Sequence, residues 1–310
     1  MDKTSQKEFG FCIYCRKAGV SLSDEHVVPH SLGGEHVLLN ATCKRCAKIT
    51  SKFELDVARE LWGDARYAYG GKSRNNKPSR QRQKRLKTRD WIDIPPVKPG
   101  QKKIRVRYDE YPAALVYYQM GKAGILQGLP PDVDLSKQWL LKAEADQPRS
   151  EAFLKKYPEQ LVTKFRHVPE SFGRMIAKIA YCQMLTTLDP DDFTPLCLEY
   201  ILGNRTNVSY IVGGDSRNGV PENTGYRLES CACGNFNEIL LIGTVRLMAN
   251  LHSPYHYAVV GYVRGRERVE QVMRKMGNKS ITPTMPTFLS SDKTTECWEP
   301  DVWPLNHFKQ

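Results

Sequence analysis

The chain has 310 residues, room for two domains of ordinary size, and 40% of them are hydrophobic, enough for a real core. No stretch reads as a membrane span, because the longest apolar run, near Glu238 to Leu251, is interrupted by Arg246. Net charge is +12, and nine basic residues without an acid fall between Lys72 and Arg89, which points to a polyanionic partner.

In chain order, Phe11 to Arg16 reads as a knuckle carrying Cys12 and Cys15 at C-x2-C spacing. Glu25 to Val28 is a short strand broken by Pro29, Gly33-Gly34 a turn with unusual backbone angles, and Val37 to Leu39 a return strand. A second knuckle, Cys43 and Cys46, opens a helix in which Ile49, Phe53, Val57 and Leu61 recur four apart, ending at Trp62-Gly63. Four thiolates so spaced suit one tetrahedral zinc. A module of residues 1–62 buries too little surface to fold securely alone, so zinc is expected to carry much of its stability. Loss of one ligand, as in Cys43→Ser, is expected to unfold that module and spare the second domain.

Residues 63–100 form a basic arm and linker. Lys72, Arg74, Lys77, Arg80, Arg82, Lys84, Arg85, Lys87 and Arg89 are expected to hold a nucleic-acid backbone, and the proline-rich stretch from Ile92 to Gly100 is a stiff join. Residues 101–310 read as a larger mixed α+β domain with antiparallel strands. Lys103 to Tyr108 and Ala113 to Gln119 are strands, and a helix follows Pro169 through Phe172, Met175, Ile176, Ile179, Cys182 and Leu185. Strands resume at Val208 to Val212, Glu238 to Thr244 and Tyr255 to Val263, before a charged helix from Arg264 to Met276. His252 and His256 read as surface histidines, Cys182 as a core thiol, and Cys231-Ala232-Cys233 as a pair without further ligands nearby in sequence.

The two knuckles enclose Asp24-Glu25-His26-Val27-Val28-Pro29-His30-Ser31-Leu32-Gly33-Gly34. With that block, residues 10 to 62 resemble the zinc-stapled branch of the HNH (His-Asn-His) endonucleases. The resemblance implies a β-hairpin and a helix around one divalent metal, and cleavage of phosphodiesters. It places His26 as general base and Glu25, directly before it, as an acidic ligand of Mg²⁺ or Mn²⁺. Ideal strand alternation sends Glu25 and His26 to opposite faces, so this carry-over requires a local distortion, with Asp24 as the fallback ligand. The family's middle asparagine falls at Leu38, which leaves Asn40 as the nearest substitute. Its last metal ligand falls at Ala47, which binds no metal. The run Cys46-Ala47-Lys48-Ile49-Thr50-Ser51-Lys52-Phe53-Glu54 is similar to the ending of a subset of HNH-like proteins, which makes Thr50 and Glu54 candidate metal positions. His30 takes a place where the family often has a basic residue and is expected at a phosphate.

The reading is an α+β protein: a small zinc-stapled ββα-metal (HNH) module with structural zinc on Cys12, Cys15, Cys43 and Cys46, acting as a metal-dependent endonuclease on nucleic acid, DNA favoured over RNA. The rivals are a non-catalytic zinc module that binds nucleic acid, and a ligand-sensing second domain with the nuclease as effector. Nine cysteines, an odd number with four assigned to zinc, and an N-terminus without an apolar signal segment make the cytoplasm the expected address. Any small-ligand or protein partner of residues 101–310 is unassigned by sequence.

Overall fold

The computed structural model describes residues 7–63 and, apart from short breaks, 91–277. The basic arm from Lys72 to Arg89 and the chain beyond residue 277 lie outside the described residues.

Strands β1 (Leu22–His26) and β2 (Val37–Cys43) pair antiparallel, with Leu22 opposite Cys43 and His26 opposite Val37. The glycine pair makes their connection possible. Gly33 sits at φ 89°, and a Cβ on Gly34 would lie 1.9 Å from the Val28 carbonyl oxygen. β2 runs straight into α1 (Lys44–Asp56), which continues as one wider π turn over Val57–Leu61. The periodicity placed this rod correctly and did not show its widened end.

After residue 90 come two hairpins, β3 (Trp91–Ile94) with β4 (Ile104–Arg107), and β5 (Leu115–Gln119) with β6 (Leu140–Glu144). Helix α2 (Gln147–Lys156) closes a small separate core of Ile94, Val106, Tyr111 and Phe153. Then come α3 (Pro169–Met184), β7 (Thr194–Pro195), α4 (Leu198–Leu202), β8 (Val212–Gly214), β9 (Tyr226–Gly234), β10 (Glu238–Leu247), β11 (His256–Arg264) and α5 (Arg266–Lys275). The sheet runs β7-β11-β10-β9, with β8 also pairing to β11, and every pairing is antiparallel. Among the described residues no helix is long and apolar enough to cross a membrane.

Helix α3 is the hub. It is buried almost all round, with β10 and β11 on one side and α1 packed against it as well. The sheet side is close-fitting, since a Cβ on Gly243 would meet the Ala180 Cβ at 2.6 Å. The N-terminal module docks through the first knuckle: the Tyr181 hydroxyl donates to the Ile13 carbonyl at 2.8 Å, and the Tyr14 hydroxyl meets the Cys182 sulfur at 3.4 Å. Trp62 donates its indole N–H to the Val116 carbonyl at 2.5 Å. Buried side chains from Cys12 to Trp62 therefore join those from Leu115 to Met273 in one hydrophobic cluster.

Two expectations change here. The run Val208 to Val212 is a 3₁₀ turn over Val208–Tyr210 before β8. The polar side chains explain it, because Asn207 donates to the Pro131 and Val133 carbonyls and the Ser209 hydroxyl accepts from the Leu135 amide. His256 is no surface histidine: it is 3% exposed, edge-on to Phe172, with Nε2–H donating to the Tyr118 carbonyl at 2.8 Å. Its Nδ1 is buried with no hydrogen-bond partner among the described residues.

Burial pushes the His256 pKa down to about 4, so the neutral ring is the folded form. Its stabilising contribution is complete above the unfolded value near 6.5 and is lost as pH falls toward 4, about 3 kcal/mol over that window. Urea unfolding at pH 7 and pH 4 should show this loss, and His256→Gln should remove that part of it. Equal pH dependence in the two proteins would refute the assignment.

Candidate active site

The two knuckles bring Cys12, Cys15, Cys43 and Cys46 together, their sulfurs all within 4.8 Å of one another. Tetrahedral zinc with Zn–S of about 2.3 Å demands sulfurs about 3.8 Å apart. The Cys15 and Cys43 sulfurs are 3.8 Å apart. The residues fit a structural metal. Burial pushes the Cys43 thiol up, but the Cys46 backbone amide and the neighbouring thiols outweigh it and bring it down to about 7. Burial raises Cys12 and Cys46 instead, so Cys43 gives up its proton before either of those two. A dication replaces the remaining protons, since ligating thiols bind as thiolates.

Between the knuckles, the regular pairing is lost just before Glu25. Glu25 and His26 keep consecutive register opposite Leu38 and Val37, so the distortion expected between those two residues is not seen in the pairing. Pairing slips so that three residues of β2, Leu39 to Ala41, face the single Asp24. Asn40 takes φ 48° at this bulge, a left-handed angle that asparagine tolerates better than most residues. Its backbone N–H donates to Asp24 at 3.0 Å, and its carboxamide donates to Glu8 at 2.6 Å. His26 faces Val37, so Asn40 lies three residues, about 10 Å, further along the strand. Asn40 and Asp24 are thus hydrogen-bonded to each other at the bulge, and Asn40 also to Glu8. Leu38, opposite Glu25, is fully buried.

His26 ends β1 half-buried, with the His30 ring edge-on at 5.6 Å. His30 opens the 3₁₀ turn after Pro29, and its Nδ1 is buried with no hydrogen-bond partner among the described residues. Two imidazoles are therefore neighbours at the end of the hairpin.

Glu25 and Glu54, 29 positions apart in sequence, converge, and between them lies the ammonium of Lys178. Lys178 Nζ stands 2.8 Å from Glu25 Oε1 and 2.9 Å from Glu54 Oε1, and donates to the His26 carbonyl. Burial works against the charged lysine, but Glu25 and then Glu54 outweigh it and raise its pKa. The Thr50 hydroxyl turns back to the Ala47 carbonyl at 3.3 Å, a helix contact. Mg²⁺ demands an octahedron of oxygens at 2.0–2.1 Å and keeps several waters. With Lys178 in place, the Glu25–Glu54 pair does not fit such an ion. Lys178 was missed from sequence, although a charge on the apolar face of a predicted helix was a legible sign of a buried partner.

Residues 12–61 match the HNH endonuclease family. The match begins at the first cysteine and ends at the last residue of the π turn, so it covers both knuckles, the hairpin and α1. An HNH endonuclease domain suggests nuclease activity on nucleic acid. Neither a curated protein nor a solved structure matches the chain.

Proposed function

We propose that the protein is an endonuclease whose HNH module hydrolyses phosphodiester bonds of DNA or RNA, with DNA the first substrate to try. The observation that carries this reading is the HNH match over residues 12–61. We assign the base to His26, which is half-exposed at the end of β1. His26 takes a proton from water, and the water oxygen attacks phosphorus. The bond from phosphorus to the leaving oxygen then breaks, and its electron pair departs with that oxygen. His30, against the His26 ring, is placed to meet a phosphate oxygen. The four cysteines hold zinc as a staple, away from the chemistry.

The test is incubation of plasmid DNA and of single-stranded RNA with the purified chain, with and without Mg²⁺ or Mn²⁺. Cutting of either polymer supports the reading, and the metal series reads out dependence on the divalent ion that HNH enzymes employ. Binding without cutting under every condition favours a non-catalytic zinc module. Ala47 and the Lys178 ammonium between Glu25 and Glu54 are the features that speak for that alternative.

The arm from Lys72 to Arg89 supplies the grip on the backbone in this proposal. If it neutralises six or more phosphates, affinity should fall roughly 10³-fold or more between 50 and 200 mM salt. Replacing Arg80, Arg82, Lys84 and Arg85 by glutamine should flatten that slope in a fluorescence-anisotropy titration. An unchanged slope would make the arm a linker. The region beyond residue 101 adds a cleft of about 730 Å³ whose lining includes Asp134, Glu170, Tyr200, Arg205 and Asn207.

A further inference from the structure

Lys178 lies on α3, three residues after Met175 and four before Cys182, on a helix face that is otherwise apolar. Its side chain is 1% exposed, and its ammonium has three protons to give. Four oxygens surround it: Glu25 Oε1 at 2.8 Å, Glu54 Oε1 at 2.9 Å, the His26 carbonyl in close contact, and the Val27 carbonyl at 3.5 Å. Two carboxylates and two carbonyls are the hard-oxygen shell of a cation site. A desolvated lysine so placed is kept only where its partners offset the loss of water. Glu25 and Glu54 come from the HNH match, whereas Lys178 comes from outside it.

We propose that Lys178 is the resident cation of the HNH module: its ammonium fills the position between Glu25 and Glu54 that a divalent ion would take, and fixes the His26–Val27 backbone through its carbonyls. The proposal rests on the HNH reading of residues 12–61. It makes Lys178 a positioning residue, buried beneath His26 and supplied by the hub helix. It also joins the second region to the module chemically as well as by packing. A buried ammonium of this kind offsets one of the two carboxylates, so the group carries one negative charge in place of two, and a dication entering there would meet the ammonium.

Mn²⁺ binding followed by electron paramagnetic resonance tests this on the intact, zinc-loaded chain. Wild type and Glu54→Gln should bind Mn²⁺ alike, within about twofold. Lys178→Met should gain one Mn²⁺ per chain, bound at least tenfold tighter than any ion on the wild type. The double variant Lys178→Met with Glu54→Gln should lose that gain. Zinc content and near-ultraviolet circular dichroism establish that each variant is folded. Should Lys178→Met fail that check, the comparison of wild type with Glu54→Gln decides alone. A wild-type Mn²⁺ site weakened tenfold or more by Glu54→Gln would overturn the proposal, and so would a folded Lys178→Met that gains no ion. Because occupancy is read and not cleavage, a negative nuclease assay leaves this result standing, and the two failures stay separate.

Discussion

Cys43→Ser is expected to unfold far more of the chain than its first sixty residues. Structural zinc contributes about 10–16 kcal/mol of apparent binding free energy, comparable to or above the whole stability of an ordinary domain. Removing one of four thiolates gives up a large part of that. The sequence-based expectation was a local loss, with the second region spared. The packing argues otherwise, because Ile13 and Tyr14 lie between the first two cysteines and are pinned to α3 through Tyr181 and Cys182. Val27, Val28, Phe53, Leu61 and Trp62 bury their side chains in the same cluster as α3, at about 1.5–3 kcal/mol each. Elemental analysis should find one zinc per wild-type chain and less in the variant. Hydrogen exchange should show protection lost in β10 and β11 together with the hairpin. Full protection of those strands in a zinc-depleted variant would restore the picture of two independent units.

What was legible in sequence was whatever depends on spacing over a few residues. Two C-x2-C pairs, a glycine turn and a four-residue apolar repeat specify the knuckles, the hairpin and α1 without knowledge of anything distant. The periodicity of α3 was equally plain, from Phe172 to Leu185. Short elements with little apolar patterning were not visible: β6 is largely exposed, and α2 buries only Phe153. Strand β9 contains Cys231 and Cys233, whose close spacing resembles a metal-binding pair more than a strand. They are strand residues, Cys231 donating to the Ile242 carbonyl at 3.3 Å, and burial pushes the Cys231 thiol up to about 12.

At the site, the residue types carried over from the family were readable and their surroundings were not. Asn40 stood nearest to the family asparagine in sequence, yet the bulge claims it for a left-handed backbone position. Glu54 was placed at the metal by its motif, and nothing local revealed that a lysine 124 positions later would arrive between it and Glu25. Such long-range closure depends on how α3 crosses α1, which is fixed by the whole core. Single-chain spacing carries no record of it.

His26→Ala is expected to lower cleavage by about 10²–10⁴, the usual effect of removing a general base. Zinc content and nucleic-acid affinity should stay near wild type. The separation is credible because His26 engages the interior through its backbone carbonyl, which accepts from Lys178 and survives the substitution. The imidazole itself is half-buried at the end of β1 against His30, so its loss opens a small space near the surface and leaves the core intact. His30→Ala is the matched control. If His30 only meets a phosphate, its loss should weaken binding and leave the rate at saturating substrate within about tenfold. If the two variants lose rate equally, the assignment of the base to His26 alone fails, and the imidazole pair acts as a unit. A His26→Ala protein that cuts as fast as wild type would remove the histidine from the chemistry altogether.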